Sequence, residues 1–167
     1  MKISGRSLGR RLLLLGNRLS RVKHRKGHGV HSPFVYGLVR KVFMVNELFE
    51  GSGTALYDAL IAVGASEKRA KQLHNAMVYC EAKSFSIDCV EGDFVVVTPN
   101  YPTTRLNELY EAAKASHATL VVAHPYLNRE RQNEVRRLRE LHTSTTVDNR
   151  AYIIFFNNHL PKQHYRL

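Results

Sequence analysis

No Asp or Glu stands in the first 46 residues of this 167-residue chain, although eleven Lys and Arg stand in the first 41. The remainder carries 14 bases against 14 acids, so the whole formal excess of +11 sits at one end. Bases without local counter-charge point to an anionic partner, either nucleic acid or an acidic membrane surface, met through residues 1–41. Cysteine is nearly missing as well. Cys80 and Cys89 have neither metal-ligand nor disulfide-framework spacing, and read as reduced, buried thiols of a cytoplasmic protein. Long apolar runs are also missing: Leu12–Leu15, behind Arg10 and Arg11, is too short for a signal-peptide core or a membrane span.

What is present suits one globular domain behind a charged extension. Hydrophobic residues make up 44% and charged residues 23%, enough for a packed core at this length. The natural division is a basic N-terminal arm over 1–31 and a single α/β domain over 32–167, itself a helical cap (32–82) and a sheet region (83–167). Within the arm, residues 7–22 suit a basic amphipathic helix, with Leu8, Leu12, Leu15, Leu19 and Val22 on one side. Arg10, Arg11, Arg18, Arg21, Lys23, Arg25 and Lys26 are the candidate anion-binding residues. His24, His28 and His31 are interrupted by glycine, with no acid or thiol beside them, so no metal site is expected. His31 is expected to pack back on Tyr36 as a polar staple.

Ser32 then offers an N-cap and Pro33 a first helical position, where its missing N–H costs nothing. Apolar residues at 34, 35, 38, 39, 42 and 43 predict a helix from about 33 to 49. Thr54 is expected to cap a short helix carrying Leu56, Leu60 and Ile61. Ser66 should cap a longer one with Ala70, Leu73, Met77 and Val78 on its inner stripe. From residue 84 the pattern changes. Strands are expected at 84–88, 94–97, 118–123, 143–147 and 152–156, with a further edge strand at 163–167. Between them, Thr103 or Thr104 should cap a helix with Leu106, Leu109, Tyr110 and Ala113 inward. Asn128 should open another bearing Val135, Leu138 and Leu141, with Arg136, Arg137 and Arg139 largely outward. Strand–helix alternation of this kind specifies an α/β layered sheet behind an α-helical N-terminal region.

Ligands of open α/β sheets bind beyond the carboxyl ends of the strands. Those ends supply the candidate cleft: Asp88, Thr98, Asn100, His124 and Tyr126, with His124 a possible acid or base. The opposing reading makes these ordinary turn and cap residues, since no carboxylate pair, nucleophile or metal set accompanies them. No glycine-rich turn leads from the first strand into a helix.

The block Arg25-Lys-Gly-His-Gly-Val-His-Ser-Pro-Phe-Val-Tyr36 resembles the N-terminal signature of a group of bacterial class I S-adenosylmethionine-dependent methyltransferases. The resemblance resumes at Ala70-Lys-Gln-Leu-His-Asn-Ala-Met77, and again at Thr145–Asp148, Ile153–Phe156 and Lys162–Tyr165. It implies a reduced Rossmann-like, class I methyltransferase-like sheet. The family's acidic-x-Gly-x-x-x-Gly turn is not kept, because Val90 stands where its first glycine belongs. The helix after the first strand and the second and third strands of the family are missing too. Thr98-Pro99 and Ala123-His124 replace acids that the family carries after its fourth and fifth strands. The favoured reading is therefore a degenerate, non-catalytic binding or scaffold protein with a basic arm for its anionic partner. It assigns no catalytic or cofactor-binding residue and expects no cofactor. Two alternatives stay open: a methyltransferase with an altered site, taking S-adenosylmethionine as cofactor, and a nucleic-acid-binding protein.

Overall fold

The computed structural model describes residues 32–50 and 53–167. The arm, its seven candidate anion-binding residues and the expected His31–Tyr36 contact lie outside the described residues, on 1–31.

Helix α1 (Pro33–Leu38) starts as its sequence predicts, with Pro33 in the first turn and the Ser32 side chain accepting from the Val35 N–H at 3.4 Å. It widens into a π-helical turn over Val39–Phe43 and stops there, short of residue 49. Apolar residues continue beyond Phe43, so the early stop is a tertiary effect. Helix α2 (Ala55–Ala62) and helix α3 (Glu67–Tyr79) follow, and α3 supplies the reason. Gln72 donates to the Phe43 carbonyl at 3.2 Å and Asn75 to that of Glu47 at 2.8 Å. The Asn75 carbonyl oxygen accepts from the Phe49 N–H at 2.9 Å, and His74 Nε2 donates to the Phe49 carbonyl at 3.1 Å. Three neighbouring side chains of α3 thus satisfy backbone groups that a longer helix would have paired internally.

Close approach of α1 to α3 depends on Gly37. A β-carbon there would come within 2.2 Å of the Tyr79 hydroxyl, which donates to the Phe34 carbonyl at 3.0 Å. The Phe34 ring packs edge-on against Phe156, with centroids 5.1 Å apart, and so anchors α1 to the sheet. Some cap assignments change. Thr54 bonds the Asp58 carboxylate instead of a helix N–H, Ser66 makes no capping bond, and Ile61 is exposed.

Among the described residues the sheet has six strands: β1 (Phe85–Ile87), β2 (Phe94–Val97), β3 (Thr119–Ala123), β4 (Thr146–Asp148), β5 (Tyr152–Phe155) and β6 (His164–Arg166). Their spatial order is β1-β2-β3-β5-β4-β6. Strand β5 runs antiparallel to both its neighbours, and every other pair is parallel. Helices α4 (Leu106–Ala115) and α5 (Arg129–Leu141) make the crossovers around β3. A 3₁₀ turn over Thr103–Arg105 precedes α4, so neither threonine caps it with its side chain. Leu106, Leu109, Tyr110 and Ala113 are buried as expected, whereas Leu141 is exposed.

The alternation of side chains along the strands builds three layers. Phe94, Val96, Val121 and Ile154 face α1–α3, sharing a core with Val35, Leu38, Leu60, Leu73 and Met77. Val95, Val97, Leu120, Val122, Ile153 and Phe155 face α4 and α5. With both faces covered, β2 and β5 are buried along their whole length, as their unbroken apolar runs require. The architecture is a mixed six-stranded α/β sandwich of helices and sheet.

Candidate functional site

Parallel neighbours usually need a dozen or more residues of crossover, yet only Asp88–Asp93 joins β1 to β2. This return lies back along the strand it leaves. Ser86 Oγ donates to the Cys89 carbonyl at 2.6 Å and accepts from the Glu91 N–H at 3.2 Å, while Asp93 N–H donates to Ser84 Oγ at 3.1 Å. Gly92 rests directly on the Phe85 backbone, where a β-carbon would meet three main-chain atoms at 2.8 Å. Asp88 turns the chain with φ at +59°, a left-handed conformation that Asp tolerates better than most residues.

The carboxylate of Asp88 faces β2, and each of its oxygens accepts from the same residue. Thr98 gives it a backbone N–H to Oδ1 at 2.7 Å and its hydroxyl to Oδ2 at 2.7 Å. The third polar group of Thr98, its carbonyl, accepts from Arg131 at 2.9 Å. Arg131 is wholly buried, and its guanidinium also donates to the carbonyls of Tyr101 (3.1 Å) and Ala123 (3.1 Å). It therefore fills the gap between the carboxyl ends of β2 and β3 and ties both following loops to α5. Burial draws its pKa below the ordinary arginine value, and the Asp88 charge partly offsets this. The sequence reading set out α5 without Arg131. A signal was available: four residues before Val135 and seven before Leu138, Arg131 shares their inward face.

On the α1–α3 side of the sheet the strand ends leave a cavity of about 370 Å³. Its apolar walls include Leu60, Val63, Leu73, Val96, Pro99 and Ala123, and its polar groups are Ser66, Arg69, Thr98, His124 and Tyr152. The corner between α2 and α3 forms its roof, turned at Gly64 with φ at +86°. His124, at the end of β3, also has a positive φ (+47°), held by its N–H donating to the Ala151 carbonyl at 2.7 Å. Tyr152 accepts from Asn149 (2.8 Å) and donates to Gln72 Oε1 (3.2 Å), and burial pushes its phenol pKa up, so it remains a neutral phenol. The Arg69 guanidinium lies over the Tyr152 ring, 5.8 Å from its centroid, and donates to the same Gln72 oxygen at 2.9 Å.

Of the five cleft candidates, Thr98 and His124 share this cavity. Asp88 adjoins it through Thr98 without lining it. Asn100 is exposed on the loop after β2. Tyr126 faces the α5 side, where its hydroxyl donates to Asp148 and it lines a separate polar depression with Arg136, Arg139 and Arg166. Arg69, Ser66 and Tyr152, from α3 and β5, were not among the candidates; no local motif marks them, because the cavity is assembled across the layers.

One other reading of the sequence needs adjustment: Cys80 and Cys89 are free thiols but only half-buried, and burial raises the Cys80 pKa to about 12. Arg136 and Arg137 are exposed and Arg139 half-buried, the largely outward set that the pattern predicts. Among the described residues no group of three or more His, Cys, Asp or Glu is placed to hold a metal ion, and no helix is long and apolar enough to cross a membrane. No family model, curated protein or solved structure matches the chain.

Proposed function

We propose that the chain is a shortened class I methyltransferase-like protein with a reduced Rossmann-like sheet, non-catalytic, and serving to bind or scaffold. The observation that carries this reading is the Asp88–Asp93 return, which occupies the place where a cofactor turn would leave the first strand. In a doubly wound sheet of order 3-2-1-4-5, the second and third strands lie outside the first. Here β1 ends the sheet, as it would if those strands and their helices were replaced by a short return. A dinucleotide-type site needs a helix N-terminus and close glycine backbone at that point. The return instead spends its polar groups on itself and on Thr98, and Arg131 fills the next crevice along. The direct experiment is calorimetry of the full chain with S-adenosylmethionine and S-adenosylhomocysteine. Neither is expected to bind, and micromolar affinity for either overturns the non-catalytic reading in favour of an enzyme with an altered site.

The acid-free basic end supports a second element of the proposal, an anionic partner, with nucleic acid as the reading to test first. Salt-titrated binding of duplex RNA and DNA would be compared between the full chain and one with Arg10, Arg11, Arg18, Arg21, Lys23, Arg25 and Lys26 all changed to Gln. Unchanged affinity and salt slope remove the arm from any binding role. Binding instead to vesicles containing acidic lipid transfers the partner to a membrane surface.

A further inference from the structure

We propose that the cavity beneath the α2–α3 corner is a binding site for a small apolar monocarboxylic acid, its body among Leu60, Leu73, Val96 and Ala123 and its carboxylate on Arg69. This rests on the reading above only in taking the cavity to be free of S-adenosylmethionine.

Three observations carry it. First, about 370 Å³ is within the range of small-molecule sites, and an apolar wall with a few convergent polar groups is their usual composition. Second, Arg69 is a cation without an anion. The ion pairs among the described residues join Lys71 to Glu67, Arg105 to Glu108 and Arg137 to Glu134, leaving Arg69 with neutral Gln72 alone. Third, that guanidinium is held in advance. Gln72 Oε1 takes one of its N–H groups, Tyr152 donates to the same oxygen, and the Tyr152 ring lies beneath it. The Gln72 amide is fixed in turn by the Phe43 carbonyl. A fork restrained in this way retains donors suited to a carboxylate and loses little further entropy on pairing.

The charge balance selects the ligand class. One guanidinium matches one carboxylate, whereas a phosphate monoester would bring nearly two charges into a largely apolar cavity where Arg69 is the one permanently charged lining residue. A neutral ligand would still accept from the guanidinium but would leave its charge without a counter-charge.

The test uses the full chain and two isosteric probes, naphthoate and the neutral naphthalenemethanol, followed by two-dimensional amide NMR. Naphthoate is expected to give saturable shifts at Gly64, Ala65, Thr98 and His124, and to bind about tenfold or more tightly than the alcohol, as a charged hydrogen bond implies. Arg69→Met, which keeps the stem over Tyr152, should remove that advantage while leaving affinity for the alcohol within about twofold. Equal affinity for acid and alcohol, shifts scattered away from the cavity, or naphthoate binding undiminished in Arg69→Met each overturn the proposal. If Arg69→Met does not fold, the acid-against-alcohol comparison in the unaltered chain decides. Adding S-adenosylmethionine separates the two readings. Displacement of naphthoate overturns both readings, whereas S-adenosylmethionine binding that leaves naphthoate in place refutes the non-catalytic reading and leaves the carboxylate site standing. Absence of naphthoate binding with no S-adenosylmethionine binding does the reverse.

Discussion

Arg131 donates to the carbonyl of Thr98 across 2.9 Å from a position with no solvent exposure, and through Thr98 it is coupled to the carboxylate of Asp88. A buried cation satisfied mainly by carbonyl dipoles is costly to place and more costly to disturb, because its charge and the Thr98 carbonyl lie away from water. Arg131→Met keeps the length of the stem but takes a donor from the carbonyls of Thr98, Tyr101 and Ala123, leaving Thr98 only the Tyr101 N–H at 3.3 Å. A stability loss of roughly 2–3 kcal/mol is expected from these weakened acceptors, read as a lower urea midpoint at unchanged slope. A loss below about 1 kcal/mol would mean that water or a shifted loop replaces the guanidinium.

Gly92 tests the return from β1. Gly92→Ala places a methyl against the Phe85 backbone at 2.8 Å, and neither the strand nor the six-residue connection has slack to move. Overpacking against main chain is expected to cost about 2–3 kcal/mol. Hydrogen exchange should show the loss concentrated in the amides of β1 and its return, with β3 and β5 little affected.

Gly37 meets a softer obstacle, since the nearest atom is the end of the Tyr79 side chain. Gly37→Ala and Tyr79→Phe should each destabilise, the second by the hydrogen bond to Phe34, about 1 kcal/mol. Their combination should cost less than the sum, because removing the hydroxyl removes the closest clash. A double-mutant cycle with no coupling would place the α1–α3 contact elsewhere.

His142 gives the fold an acid limit. Its Nε2 donates to the Phe156 carbonyl at 3.1 Å, so Nδ1 must accept from the Tyr110 hydroxyl at 3.0 Å, and the ring is neutral. Burial lowers its pKa to about 4, against about 6.5 in an unfolded chain. Between those values the unfolded state binds the extra proton. Stability from this group is therefore fully present above about pH 6.5 and falls as the pH drops towards 4, by about 3 kcal/mol in all. Urea titrations from pH 7 to 4 should show that slope, and His142→Gln should flatten it while lowering stability at pH 7. An unchanged slope in the variant would assign the acid sensitivity to other groups.

What the sequence made legible follows from how local each signal is. The start at Ser32-Pro33, the four inward residues of α4, the Asn128 cap and the buried runs of β2 and β3 are all written within a few residues, and they hold. The end of α1 is not written locally. Apolar spacing continues past Phe43, and only Gln72, His74 and Asn75, some 25 to 29 residues away, stop the helix. That is also the visible task of the Ala70–Met77 block, which in sequence stands out only for its resemblance. The insertion of β5 between β3 and β4 is similarly non-local, because a hairpin can join a sheet by either of its strands. Of the cleft candidates, strand ends predicted the neighbourhood but not the side of the sheet. His124 and Tyr126 lie past the end of β3, where the left-handed turn at His124 (φ +47°) takes the chain out of strand alternation and sends the two side chains to opposite sides of the sheet.

The shortness of β1 bears on what the margin of the sheet offers to a second strand. A sheet that ends at β1 presents a row of backbone donors and acceptors to any passing strand, the usual seed of edge-to-edge polymerisation. Here the row is three residues long, with exposed Lys83 before it and the folded-back return behind it. The opposite margin, β6, is equally brief and carries exposed His164 and Arg166. Among the described residues both margins are short and flanked by exposed charge, Glu81, Lys83, Glu91 and Asp93 at one and Arg166 at the other, which disfavours pairing with a second strand at either end.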